Sequence, residues 1–127
     1  MSLLQNLLGN ATEADASQYE SIVNPVLVEG ENVQYAYKLL RDLIIFTNER
    51  LIMVNVQGLT GKKKEISSIP YSSVSVFTME NAGTMDFDSE IKLHVKGLSV
   101  PVSLKFGKNS DITGVYKILS EKILPVT

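Results

Sequence analysis

At 127 residues, 44% apolar and 20% charged, the chain fits one domain able to bury roughly two thirds of the surface its unfolded form exposes. No apolar run approaches the roughly 20 residues needed to cross a bilayer as a helix, and the lack of cysteine excludes a disulfide framework, a thiolate zinc site and a cysteine nucleophile. The net charge of −2 hides an asymmetry: up to Glu31 there are five acidic residues and no Lys or Arg, while the remainder carries all 12 basic residues against nine acidic ones.

An acidic segment ahead of a mildly basic body can cover part of that body. Neither half is charged enough for nucleic-acid binding. The start MSLLQNLLGNA has no Lys or Arg before its short apolar stretch and makes a poor secretory signal, so a cytoplasmic location is expected.

Leu3, Leu4, Leu7 and Leu8 recur at helical spacing and stop at Gly9, which predicts a short amphipathic helix. Thr12 and Asp15 form a variant capping box for a second helix over Glu13 to Val23, whose apolar side is Ala16, Tyr19, Ile22 and Val23 and whose end is Asn24-Pro25. Helices this short need a surface to pack on. Residues 1–30 therefore read as a helical segment ahead of a domain over 31–127.

From Val33 the period changes to two. Val33, Tyr35, Tyr37 and Leu39 alternate with Gln34, Ala36 and Lys38, predicting a half-buried strand, and Arg41-Asp42 makes a tight junction. Leu43 to Gln57 then reads as a central hairpin turning through Thr47-Asn48-Glu49-Arg50, side chains that favour a turn without fixing its type. Further strands are expected over Lys62 to Ile69, Ser73 to Met79, Glu90 to Lys96 and Val100 to Phe106, with Leu98 and Val100 continuing the apolar alternation of the last. Pro101 suits an edge position. A closing helix over Asp111 to Leu124, capped by Asn109 or Ser110, carries a stripe of Ile112, Val115, Tyr116, Leu119 and Ile123.

The hairpin is apolar on both faces, through Leu43, Ile44, Ile45 and Phe46 and then Leu51, Ile52, Met53 and Val54. A strand in a small barrel buries one face against the core, so a second cover is required. The expected contact face is Leu43, Ile45, Leu51 and Met53, met by the N-terminal helices or by a neighbouring subunit.

Catalytic chemistry finds little support. His94 alternates with Ile91, Leu93 and Val95 and falls on the wet face of its strand, with no orienting carboxylate nearby in sequence. Asp86, Asp88 and Glu90 would share one face of an extended segment, yet they lack the glycine and distal glutamate of a calcium loop. Glu80 and Asp86 have no spacing that fixes them as an acid/base pair. Gly58 to Lys64 has the wrong glycine spacing for a phosphate loop and reads as a turn with a basic tip, where Lys62, Lys63 and Lys64 offer a weak contact to anionic lipid. No catalytic residue, metal or cofactor is expected.

The stretches FTNERLIMVNVQGLTGKKKE and SSIPYSSVSVFTMENAGTMDFDSEIKL resemble the bacterial pleckstrin-homology (PH)-like domain family. The points of likeness are Phe46-Thr47 to Arg50-Leu51, Gly58 to Lys64, Ile69-Pro70-Tyr71, Glu80 with Gly83, and Asp86 to Glu90, within about Glu31 to Phe106. The resemblance implies a mainly β (α+β) fold, a bent antiparallel sheet or partly open barrel of about seven strands capped by the C-terminal helix, with two short helices in front. It also implies self-assembly, since members of the family form homo-oligomeric rings. Eukaryotic PH domains that bind phosphoinositides use basic residues between their first two strands, and here that junction is Leu39-Leu40-Arg41-Asp42-Leu43, which argues against such binding. The expectation is a non-enzymatic binding or scaffolding module whose partners are copies of itself and other proteins.

Overall fold

The computed structural model describes residues 16–39, 42–57, 63–80, 89–107 and 110–125, with the backbone alone described at 16–18 and 56–57. The expected helix at Leu3 to Leu8, the cap at Thr12 and Asp15, and Arg41, Lys62, Asp86 and Asp88 lie outside these residues. Helix α1 (Ala16–Val23) runs into a 3₁₀ turn at Asn24–Val26, consistent with a proline that cannot continue the helix. Two antiparallel sheets follow. The first has the order β1 (Val33–Lys38), β2 (Asp42–Thr47), β3 (Arg50–Gln57) and β4 (Lys63–Pro70). The second has the order β5 (Val74–Glu80), β6 (Ser89–Val95) and β7 (Val102–Phe106). Helix α2 (Ile112–Ile123) closes the chain. Among the described residues no strand of one sheet pairs with a strand of the other, so the barrel stays open.

The register of the first sheet sorts its side chains into two layers. Tyr35, Phe46, Leu51 and Ile69 form one cross-strand row and Tyr37, Ile44, Met53 and Ser67 the next. These rows face the second sheet and α2, where Ile91, Leu93, Leu104, Phe106, Val115 and Leu119 complete the main core. The alternate rows are Ala36, Ile45, Ile52 and Ser68, then Lys38, Leu43, Val54 and Ile66. On them sits α1, through Tyr19 and Val23. The second apolar face of the hairpin is thus covered within the subunit, which explains why Leu43, Ile45, Ile52 and Val54 are all buried.

Two boundaries differ from expectation. Leu98 and Val100 are 57% and 71% exposed. Gly97 turns the chain at φ +91° and β7 begins only after Pro101, so their alternation continues into a loop rather than a ladder. Helix α2 is capped by Asp111, whose carboxylate accepts the Gly114 N–H at 3.0 Å; the sequence offered Asn109 and Ser110 for this role. A carboxylate also suits the positive end of the helix dipole. β7 lies at the edge of its sheet, as Pro101 suggested.

Candidate functional site

The strongest polar construction in the molecule is at the hairpin turn. Thr47 and Arg50 bracket Asn48-Glu49, and the Thr47 hydroxyl oxygen accepts the backbone N–H groups of Glu49 (3.0 Å) and Arg50 (2.9 Å). That hydroxyl in turn donates to Glu31 Oε2 at 2.7 Å. Arg50 grips the same carboxylate with two donors, Nε to Oε2 at 2.8 Å and Nη2 to Oε1 at 2.9 Å. The Val28 N–H adds a fourth bond at 3.0 Å. Glu31 has no exposed side-chain area, so an ionised carboxylate is tolerable only because it is fully paired. The Arg50 guanidinium is the main influence holding Glu31 down to about 2, against the opposing effect of burial.

The same turn draws in the segment between α1 and β1. Arg50 Nη2 donates to the Val26 carbonyl at 2.7 Å and Nη1 to Ser68 Oγ at 2.8 Å. The Asn48 side chain bonds the Gly30 carbonyl and the Asn32 N–H. Tyr71, in the turn that joins the sheets, donates its hydroxyl to the Thr47 carbonyl at 2.6 Å. The cluster fastens the segment after α1 to the hairpin turn. It is a structural clamp, and sequence reasoning missed it because Glu31 and Arg50 stand 19 residues apart. The visible signal was Thr47-Asn48-Glu49-Arg50, a turn with hydroxyl, amide and guanidinium groups but no glycine.

The structure divides the residues of the expected contact face between two layers. Leu43 and Ile45 lie under α1, whereas Leu51 belongs to the main core and Met53 packs against it. The β3 residues under α1 are Ile52 and Val54. A two-residue turn pairs Ile45 with Ile52 and Leu43 with Val54, so residues sharing a face have opposite parity on the two strands. The basic tip is also redistributed. Lys63 and Lys64 are exposed members of β4, opposite Gln57 and Val56. As neighbours in a strand they point to opposite faces and make no joint patch.

His94 is exposed, opposite Val76. Glu90 accepts a hydrogen bond from Ser103, and Glu80 forms a loose 3.8 Å pair with Lys92. Among the described residues no group of three His, Asp or Glu side chains is placed to hold a metal, and no helix is long and apolar enough to cross a membrane.

Among the described residues two surfaces stand out as candidates for partners. The first is β4, an eight-residue edge strand with unbroken register against β3 and with Lys63, Lys64, Glu65, Ile66, Ser67 and Ser68 all exposed. The second is a groove between β1 and α2, lined by Tyr35, Tyr37, Gly114, Lys117, Ile118 and Glu121.

A family model described as the bacterial PH domain matches residues 2–123. YjqA of Bacillus subtilis strain 168 is 46% identical over 121 residues, covering 94% of this chain and 97% of that protein. The crystal structure of a pleckstrin-homology domain from Shewanella amazonensis SB2B is 39% identical, with a TM-score of 0.79 over 97% of this chain and 99% of that one. A DUF1696-family protein with a pleckstrin-homology domain from Shewanella loihica PV-4 is 36% identical, with a TM-score of 0.78 over 91% of this chain and 99% of that one.

Proposed function

This chain belongs to the bacterial PH domain family, and we propose that it is a non-enzymatic binding module that self-associates into a ring through the open edge of β4. The observation that carries this reading is the edge itself: among the described residues its eight positions pair on one side only, with no bulge, and six successive side chains are exposed. Native proteins usually shorten, bend or cover such an edge, because its unpaired N–H and C=O groups are a template for another strand. Lys63, Lys64 and Glu65 discourage indiscriminate pairing at one end, while the stretch Ile66-Ser67-Ser68 is uncharged. Since α1 fills the outer face of the hairpin, β4 is the surface that suits a neighbouring copy. Pairing with a different edge of the next subunit is a heterologous contact, the kind that closes into rings.

The test is light scattering after size exclusion at micromolar concentration, on the parent chain and on Ser67→Pro and Ser68→Pro. Of two adjacent residues in an edge strand, one N–H points to β3 and the other outward. One proline therefore dissociates the assembly with the fold intact, and the other weakens the fold as well. A monomeric parent chain, or assembly untouched by both prolines, overturns the reading.

A further inference from the structure

The apolar alternation that leaves β6 for β7 does not return to the core. Leu98 and Val100 stand 57% and 71% exposed in the turn between these strands, and Val76, opposite the exposed His94, is 53% exposed beside the base of that turn. The turn is a defined structure. Gly97 takes φ +91°, a conformation that side chains disfavour. The Leu98 N–H donates to the Val95 carbonyl at 3.0 Å, and the Lys96 N–H donates to the Ser73 carbonyl at 2.8 Å. Pro101 restricts the chain on its way into β7. Two large apolar side chains are thus held in solvent by a fixed backbone.

The charges of the second sheet are ordered along it. Its outer face carries Val76 and His94 nearest the turn, then Thr78, Lys92 and Ser103, and at the far end Glu80, Glu90 and Lys105. Lys92 is loosely shared with Glu80 at 3.8 Å. Lys96 is exposed beside the tip and forms no ion pair among the described residues. Residues 91–110 hold Lys92, His94, Lys96, Lys105 and Lys108 and no Asp or Glu. Glu90, the acid that precedes them, lies about 20 Å from Lys96 along an extended strand, beyond the Debye length of about 8 Å in physiological salt.

We propose that the β6–β7 turn is a membrane-contact site for anionic lipid. Leu98 and Val100 enter the headgroup layer, and Lys96, with Lys92 behind it, lies against the negative lipid charge. An apolar insertion and a basic patch are individually weak, and together they are what reversible attachment to a membrane surface takes. The size of the tip decides the occupant. It offers Leu98, Val100 and Val76, whereas a stable protein interface engages roughly 20–30 residues a side. A fluid headgroup layer, by contrast, shapes itself to whatever enters it. Charge sets the direction of approach, since this pose keeps Glu80 and Glu90 at the end of the sheet away from the lipid. The site uses neither the junction between β1 and β2 nor the β4 edge, and it does not depend on the oligomeric state.

The chain has no tryptophan, so Val100→Trp places a single fluorophore at the tip. Val28→Trp, at a valine 60% exposed ahead of β1, is its control. Each is mixed with vesicles of equal parts phosphatidylglycerol and phosphatidylcholine, and with vesicles of phosphatidylcholine alone. On the anionic vesicles Val100→Trp is expected to shift its emission to the blue and to be quenched by brominated acyl chains, and Val28→Trp to do neither. In the Val100→Trp background, Lys96→Glu should weaken partitioning at least about tenfold and Leu98→Ser at least about threefold. Thermal unfolding should be unchanged by either, because both positions are exposed. The proposal is overturned if Val100→Trp shows no shift, if it shifts equally on both kinds of vesicle, if Val28→Trp is quenched as strongly, or if Lys96→Glu leaves partitioning unchanged. Blue emission that grows with protein concentration in the absence of lipid also overturns it, and assigns the tip to a contact between copies.

Discussion

Neutralising Glu31 separates a structural charge pair from a decorative one. Glu31→Gln keeps the side-chain size and leaves Arg50 its bonds to Ser68 and the Val26 carbonyl, but removes the charge that the guanidinium grips. The carboxyl is held at about 2 against an ordinary value of 4.5, a difference worth about 3 kcal/mol of folding free energy at neutral pH. Breaking a buried ion pair from one side costs about 3–5 kcal/mol by a separate route, so the two magnitudes agree. Because the folded-state value is depressed, this stability is fully present above about pH 5 and drains away as the pH falls toward 2. Urea unfolding followed by tyrosine fluorescence or circular dichroism reads it directly. With a slope of about 1.5 kcal/mol per molar urea, the midpoint at pH 7 should fall by about 2 M. At pH 2.5, still half a unit above the folded-state value, about a quarter of the difference should remain, roughly 0.8 kcal/mol. A loss at pH 7 below about 0.5 kcal/mol, or a loss of equal size at both pH values, refutes the assignment of a buried charged clamp.

The register of β3 makes a paired prediction. Val54→Lys should release α1, seen as rapid proteolysis within 16–30, while Met53→Lys should lower the urea midpoint by about 1–2 M through the main core and leave α1 protected; reversed outcomes would mean the strand is shifted by one residue. Burial raises the Tyr71 hydroxyl well above its ordinary value, so the neutral phenol supports the fold below about pH 10 and that support is lost as the pH rises further. Tyr71→Phe should cost about 1 kcal/mol at neutral pH and flatten the alkaline limb of a stability profile measured by urea titration; an unchanged alkaline limb would show that Tyr71 does not govern it.

Most of the fold was legible because burial writes itself into period. Ile91 and Leu93 are fully buried and His94 exposed, as their alternation requires. The two-faced hairpin announced that a second cover existed. What covers it was not legible, since Tyr19 and Val23 read as the apolar side of any short helix. The β3 face was misassigned for want of one fact, the length of the turn, from which the pairing of Leu43 with Val54 follows. The clamp escaped for another reason. A salt bridge across 19 residues leaves no periodic trace, and Glu31 looks like one more member of an acidic segment. The groove is equally silent, because Tyr35, Tyr37 and Ile118 are core-type residues whose side chains happen to leave space between β1 and α2.

The two sheets have a consequence for how the chain folds. Among the described residues every strand pairing joins strands adjacent in sequence, and only β4 and β5 are left unpaired with each other, giving one meander up to Pro70 and a second from Val74. Each ladder closes over a short loop, so its entropic cost is small and it can form quickly. Only the docking of one meander on the other, with α2 packed against β5 and β6, demands long-range search. The turn at Tyr71–Ser73 is then a seam between two locally wired halves, and Tyr71, whose hydroxyl reaches Thr47 beside the Arg50–Pro70 pair, can fix the start of that seam as soon as the first meander has closed.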